Sequence, residues 1–203
     1  MRLRCTFLLL FTFVLAALQT FSIYNYQGEK VDESELVHYA VGFLSGDLDP
    51  KWYGYGTLGM YLLGAIYFVS GLGQIFAGYY DSFLAYASQV YENGYFIIIA
   101  RYLFAFIGIC TALIYYKAGR LLKIPHAFLI AFLVVQITSP DALEFANYIR
   151  GDQLVSFFVA CIVFTLCCKT TTRNKAFFIA GFIGAATAAK ISALGILPLL
   201  VLY

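Results

Sequence analysis

Apolar residues run through this chain in long blocks separated by short polar stretches. Windows of about 20 apolar residues mark candidate membrane spans, and here they fall at 5–23, 57–76, 96–116, 127–138, 154–168 and a long stretch over 176–203. Between the first two blocks the pattern changes. Leu36, Val37, Ala40, Val41 and Leu44 recur at helical spacing, which predicts a short amphipathic helix. It opens at Asp32-Glu33, stops at Ser45-Gly46, and leads into Asp47-Leu48-Asp49-Pro50 and the aromatic stretch 52–55.

Composition sets the class. Of 203 residues, 62% are hydrophobic and 12% charged, with a mean hydropathy of +0.82. A soluble domain carries about 45–50% apolar and about 25% charged residues, so an integral membrane protein is expected: an all-α, polytopic transmembrane helix bundle. A net charge of +2 with dispersed basic residues gives no support to nucleic-acid binding. The five cysteines, Cys5, Cys110, Cys161, Cys167 and Cys168, lie in or beside apolar runs, where a free cysteine behaves as a small hydrophobe. They outline no disulfide framework. Cys167 and Cys168, beside Lys169, suit lipid-facing packing, with acylation as the alternative.

Charge orients the blocks. Arg2 and Arg4 ahead of the first run place the N-terminus in the cytoplasm. That run has the features of a signal peptide too, but its apolar core is longer than usual and favours a retained anchor. If 57–76 crosses the membrane, two basic clusters fall outside: Lys117, Arg120, Lys123 and Lys169, Arg173, Lys175. If it does not cross, both become cytoplasmic, as the positive-inside rule requires. The block also carries Gly59, Gly64, Gly71 and Gly73. It is therefore read as a juxtamembrane or re-entrant helix on the outer side, although hydropathy alone argues for a span. External loops then cover about 24–95 and 139–152. Six of the eleven acids, Glu29, Asp32, Glu33, Glu35, Asp47 and Asp49, lie between positions 29 and 49, which suits an exterior loop.

Carboxylates at the mouth of an apolar bundle are costly unless paired, hydrated or used. Asp32-Glu33-Ser34-Glu35 has the form of a helix cap with an acid three positions on. A capping Asp32 is also rigidly placed to serve as a general base or metal ligand. His38 lies on the polar side of the same helix, and a single histidine among scattered acids lacks zinc-site spacing. In the second loop, Arg150 and Asp152 precede the next block. They fit an interfacial arginine and a capping aspartate, or a phosphate-binding guanidinium with an acid near Asp32. Lys190 stands deep in an apolar stretch. Such a lysine needs a partner, water or a route to the interface.

Asp32-Glu33, then Gly46-Asp47-Leu48-Asp49-Pro50 and Trp52-Tyr53-Gly54-Tyr55-Gly56-Thr57-Leu58, resembles the first external loop of the C-fold glycosyltransferases. That superfamily includes the dolichyl-phosphate-mannose protein mannosyltransferases and the aminoarabinose lipid A transferases. Ala100-Arg101-Tyr102-Leu103, in a span ending Lys117-Ala118-Gly119-Arg120-Leu121-Leu122, is similar to their next segment. Arg150-Gly151-Asp152 resembles their second-loop acid, and 184–190 their glycine-rich, lysine-ending helix. The resemblance implies transfer of a sugar from a polyprenyl-phosphate carrier to an acceptor (protein, lipid or glycan) on the outer or lumenal face, in the plasma membrane or endoplasmic reticulum. It implies Asp32, Glu33 and Asp152 as catalytic acids. Lys190, Arg150, Lys51 and Tyr55 become substrate-binding residues. A divalent cation, if one takes part, would sit on Asp32 and Asp152. The paired prolines common after the first helix in the mannosyltransferases are absent; Gly54-Tyr55-Gly56-Thr57 stands there. The chain ends inside an apolar run, and the resemblance reads it as the N-terminal part of a longer enzyme. A transporter subunit and a non-catalytic membrane protein are the other classes in view.

Overall fold

The computed structural model describes residues 31–52, 56–138, 148–169 and 171–196. The predicted block at 5–23 lies outside them. Among the described residues the only regular elements are helices: α1 (Val31–Gly42) with a 3-10 turn over Phe43–Ser45, α2 (Leu58–Phe76), α3 (Phe83–Glu92), α4 (Tyr95–Leu121), α5 (His126–Thr138), α6 (Gly151–Cys167) and α7 (Thr172–Ala189), followed by a 3-10 helix over Ile191–Ile196. Two of them, α2 and α4, are long and apolar enough to cross a membrane.

The local reasons are readable. The α1 stripe buries Leu36, Val37 and Ala40, and Gly46 ends the segment at φ 89°, a left-handed conformation that favours glycine. The helix already includes Asp32 in its first turn, so the aspartate does not occupy the expected cap position. Helix α3 was not anticipated. Ser82 caps it, its hydroxyl accepting from the Ala85 N–H, and Tyr86 and Val90 are its buried face. Helix α7 stops at Ala189 instead of running on through the apolar stretch. Lys190 turns to an extended conformation (φ −161°, ψ 125°), and its side chain reaches an acid on another helix.

A core joins α1, α2 and α3 to the N-terminal ends of α4 and α6; Leu36, Ala40, Met60, Leu63, Tyr86, Phe104 and Leu154 belong to it. Within α2, Gly64 and Gly71 leave room for Phe43, Phe83 and Tyr86. Those glycines thus serve packing in an unbroken helix. Buried Tyr67 donates its hydroxyl proton to the Phe96 carbonyl at 2.9 Å. The C-terminal half of α4 takes α5 instead, through Ala112, Tyr116, Leu129 and Leu133.

Helices α4, α6 and α7 pack side by side. Their direction follows from two levels of contact. Near its N-terminus, α4 meets the residues that open α6, Arg101 and Ile149 sharing Glu33. Farther along, Tyr115 neighbours Cys161. Helices α4 and α6 are therefore parallel, and α7 returns antiparallel, Lys175 Nζ in its first turn donating to the Leu166 carbonyl near the end of α6 at 3.0 Å.

Candidate functional site

Two cations, Arg101 in α4 and Lys190 just past the end of α7, stand within apolar stretches, and each has found a carboxylate. Arg101, in the second turn of α4, is 4% exposed and Glu33, in the first turn of α1, is 1% exposed. The guanidinium donates through Nη2 to Glu33 Oε2 at 2.9 Å and through Nε to Oε1 at 3.4 Å. Oε1 also accepts the backbone N–H of Ile149 at 2.9 Å. One carboxylate thereby ties α1, α4 and the segment entering α6. A buried charge is tolerable only with this kind of pairing and hydrogen bonding.

Three residues beyond Ile149, Asp152 meets Lys190. The ammonium donates to both carboxylate oxygens, at 2.7 and 2.8 Å. This pair is open to its surroundings, with side chains 30% and 43% exposed for Lys190 and Asp152. Asp152 lies in the first turn of α6 and Arg150 occupies the cap position, so the aspartate is not the cap that the sequence predicts. An acid in the first turn still faces the positive end of the helix dipole.

Small residues bring the two pairs together. A Cβ on Gly151 would collide with the Ala189 carbonyl oxygen, and one on Gly56 would collide with the Ala188 and Ala189 backbone. The chain from Gly56, the start of α6 and the end of α7 thus meet backbone to backbone, as small-residue interfaces allow. Lys190 follows immediately, at the point where its ammonium reaches Asp152.

The other candidates lie elsewhere or are differently engaged. Arg150 sits over the Tyr148 ring, 5.1 Å from its centroid. Lys51 pairs with exposed Asp47 at 2.5 Å. That hydrogen bond is the main cause holding the Asp47 carboxyl below its usual range and the Lys51 ammonium above its own. Lys51 also has φ +53°, and the Trp52 N–H donates to the Pro50 carbonyl at 2.6 Å, so a lysine occupies a tight, locally strained turn. Beside it, Trp52 stacks on Tyr39 of α1 at 6.0 Å. His38 is exposed and contacts the Tyr91 hydroxyl at 3.3 Å. Tyr55 and the Asp32 side chain lie outside the described part.

Among the described residues no group of three or more His, Cys, Asp or Glu is placed to hold a metal. Both oxygens of Asp152 already face an ammonium, which a metal ion would have to displace. The other acid suggested for a cation, Asp32, has its side chain outside the described residues. Arg101 is the residue to which sequence reasoning assigned no role. The signal was present: an arginine with only apolar or uncharged residues from 96 to 116 around it needs a counter-charge for the same reason as Lys190. Comparison with protein-family models, with curated proteins and with solved structures finds no match for this chain.

Proposed function

We propose that this protein is a multi-pass membrane glycosyltransferase that moves a sugar from a polyprenyl-phosphate carrier to an acceptor hydroxyl at the acidic end of its helix bundle. The observation that carries the reading is the pair of carboxylate–cation contacts sharing the segment Ile149 to Asp152. One pair is sealed and the other is accessible.

The membrane orientation rests on ruler-like spacing. Arg101 to Lys117, Asp152 to Lys169 and Lys190 to Lys175 each span about 22–26 Å at the helical rise. That approaches the roughly 30 Å of a bilayer core. Because α4 and α6 run parallel, both basic clusters lie at the end opposite the two ion pairs. Helix α2 leaves Gly59, beside Leu154, and reaches Phe96 at Tyr67, rising away from the basic end. This favours the juxtamembrane reading of α2 over a span.

In the reaction, the bond from the anomeric carbon to the carrier phosphate oxygen breaks and a bond to the acceptor oxygen forms. Asp32 takes the acceptor proton. The polyprenyl phosphate departs with its charge held by Lys190 and Arg150. An incoming phosphate competes with Asp152 for the Lys190 ammonium and leaves that carboxylate free to orient the acceptor. Glu33, committed to Arg101 and Ile149, acts as a positioning residue for Asp32 beside it.

The test is binding of a short-chain polyprenyl phosphate to the whole chain in lipid nanodiscs. The parent should bind, Lys190→Arg should retain most of the affinity, and Lys190→Met should weaken it at least tenfold. Asp32→Asn should bind normally and fail to transfer sugar. A parent that does not bind the carrier, or a Lys190→Met variant that binds it equally well, overturns the proposal.

A further inference from the structure

The bundle end remote from the ion pairs carries Lys117, Arg120 and Lys123 at the close of α4, and Lys169, Arg173 and Lys175 around the α6–α7 turn. All but Lys175 are exposed, and Lys175 is partly so. The sequence contains no acid over 96–140 and none over 153–203, so no carboxylate from α4, α5, α6 or α7 reaches this end. Exposed Leu121, Leu122, Phe128, Phe177 and Phe178 lie among the cations. Because α4 and α6 are parallel, the two clusters form one surface instead of facing opposite leaflets.

We propose that this surface binds the anionic phospholipid headgroups of the leaflet it faces. Positive charge set in an apolar ring at membrane depth matches phosphate oxygens above and acyl chains below. Flexible lysines and exposed aromatics suit a fluid headgroup layer better than one rigid ligand. The proposal rests on the membrane orientation above and is independent of the sugar-transfer chemistry.

The test uses the whole chain reconstituted in vesicles, with spin-labelled phosphatidylglycerol and spin-labelled phosphatidylcholine as probes of the lipids in contact with protein. Each basic residue near an anionic surface is worth about 1 kcal/mol, roughly fivefold. The parent should prefer the anionic probe severalfold, and raising salt from about 0.15 M to about 1 M should suppress the preference. Lys117→Gln/Arg120→Gln/Lys123→Gln should reduce it, and adding Lys169→Gln/Arg173→Gln/Lys175→Gln should abolish it. Asp47→Asn, at the far end, should leave it unchanged. A parent that floats with vesicles without preferring the anionic probe overturns this inference alone. Preference that survives loss of all six charges overturns it as well. A parent that does not float overturns the membrane orientation together with the inference.

Discussion

Truncating Glu33 tests whether the sealed ion pair holds the site together. Glu33→Ala leaves the Arg101 guanidinium, 4% exposed, without its carboxylate, a loss of about 3–5 kcal/mol for a buried pair. It also orphans the Ile149 N–H now bound at 2.9 Å, adding about 1–3 kcal/mol. Against a typical total of about 5–15 kcal/mol, that is enough to unfold a marginal bundle. Glu33→Gln retains an acceptor for Ile149 and should cost about 1–3 kcal/mol less than the alanine variant. Glu33→Gln/Arg101→Met removes both charges while preserving that acceptor, and should recover most of the loss, because replacing both partners is often near neutral. The measurement is reversible unfolding in mixed micelles for the parent, Glu33→Gln, Arg101→Met and the double variant. A coupling energy of about 3 kcal/mol is expected. Additivity within about 0.5 kcal/mol, the behaviour of independent sites, would refute the clasp.

Further outcomes follow from other contacts. Gly151→Ala and Gly56→Ala each force a Cβ into the α7 backbone at Ala188–Ala189, so each should lower stability by about 1–3 kcal/mol, read from the same unfolding titrations. Destabilisation by neither would mean that the helix ends separate easily. In the surface pair, the Asp47 carboxyl is lowered chiefly by its hydrogen bond to Lys51. Its contribution is present above its unfolded value near 3.9 and is lost as pH falls through the depressed folded value. Lys51 is raised chiefly by the same bond, and its contribution is lost as pH rises through the elevated folded value. Carboxyl NMR titration of Lys51→Gln should move Asp47 back toward the ordinary range, and an unmoved titration rejects the pairing. In a cysteine-free background, single cysteines at Asp81 or Glu92 should be labelled from the same membrane side as one at Gln27. Labelling from opposite sides would make α2 a span.

How much of this was legible from residue order differs by element. The apolar blocks predicted α2, α4, α5, α6 and most of α7, because the local free energy of a long apolar run in lipid leaves the helix as its main solution. The spacing Leu36, Val37, Ala40, Val41, Leu44 predicted α1, and Gly46 its end. Helix α3 escaped because ten residues with Ser, Gln and Glu among the aromatics make no membrane-length window, although the Ser82 cap and the Tyr86–Val90 spacing were visible.

Partner choice was not local. Sequence reasoning asked what Lys190 pairs with and left several answers; the parallel packing of α4 on α6 and the return of α7 put Asp152 there. The same packing joined Glu33 to Arg101, 68 positions apart, in a buried ion pair. In the tertiary structure α7 also ends at Ala189, within an apolar run, where Lys190 reaches Asp152. Charge type and helix existence are properties of short stretches, whereas which charges neutralise one another depends on relative helix direction. That direction is set by contacts between residues far apart in the chain, such as Gly151 against Ala189.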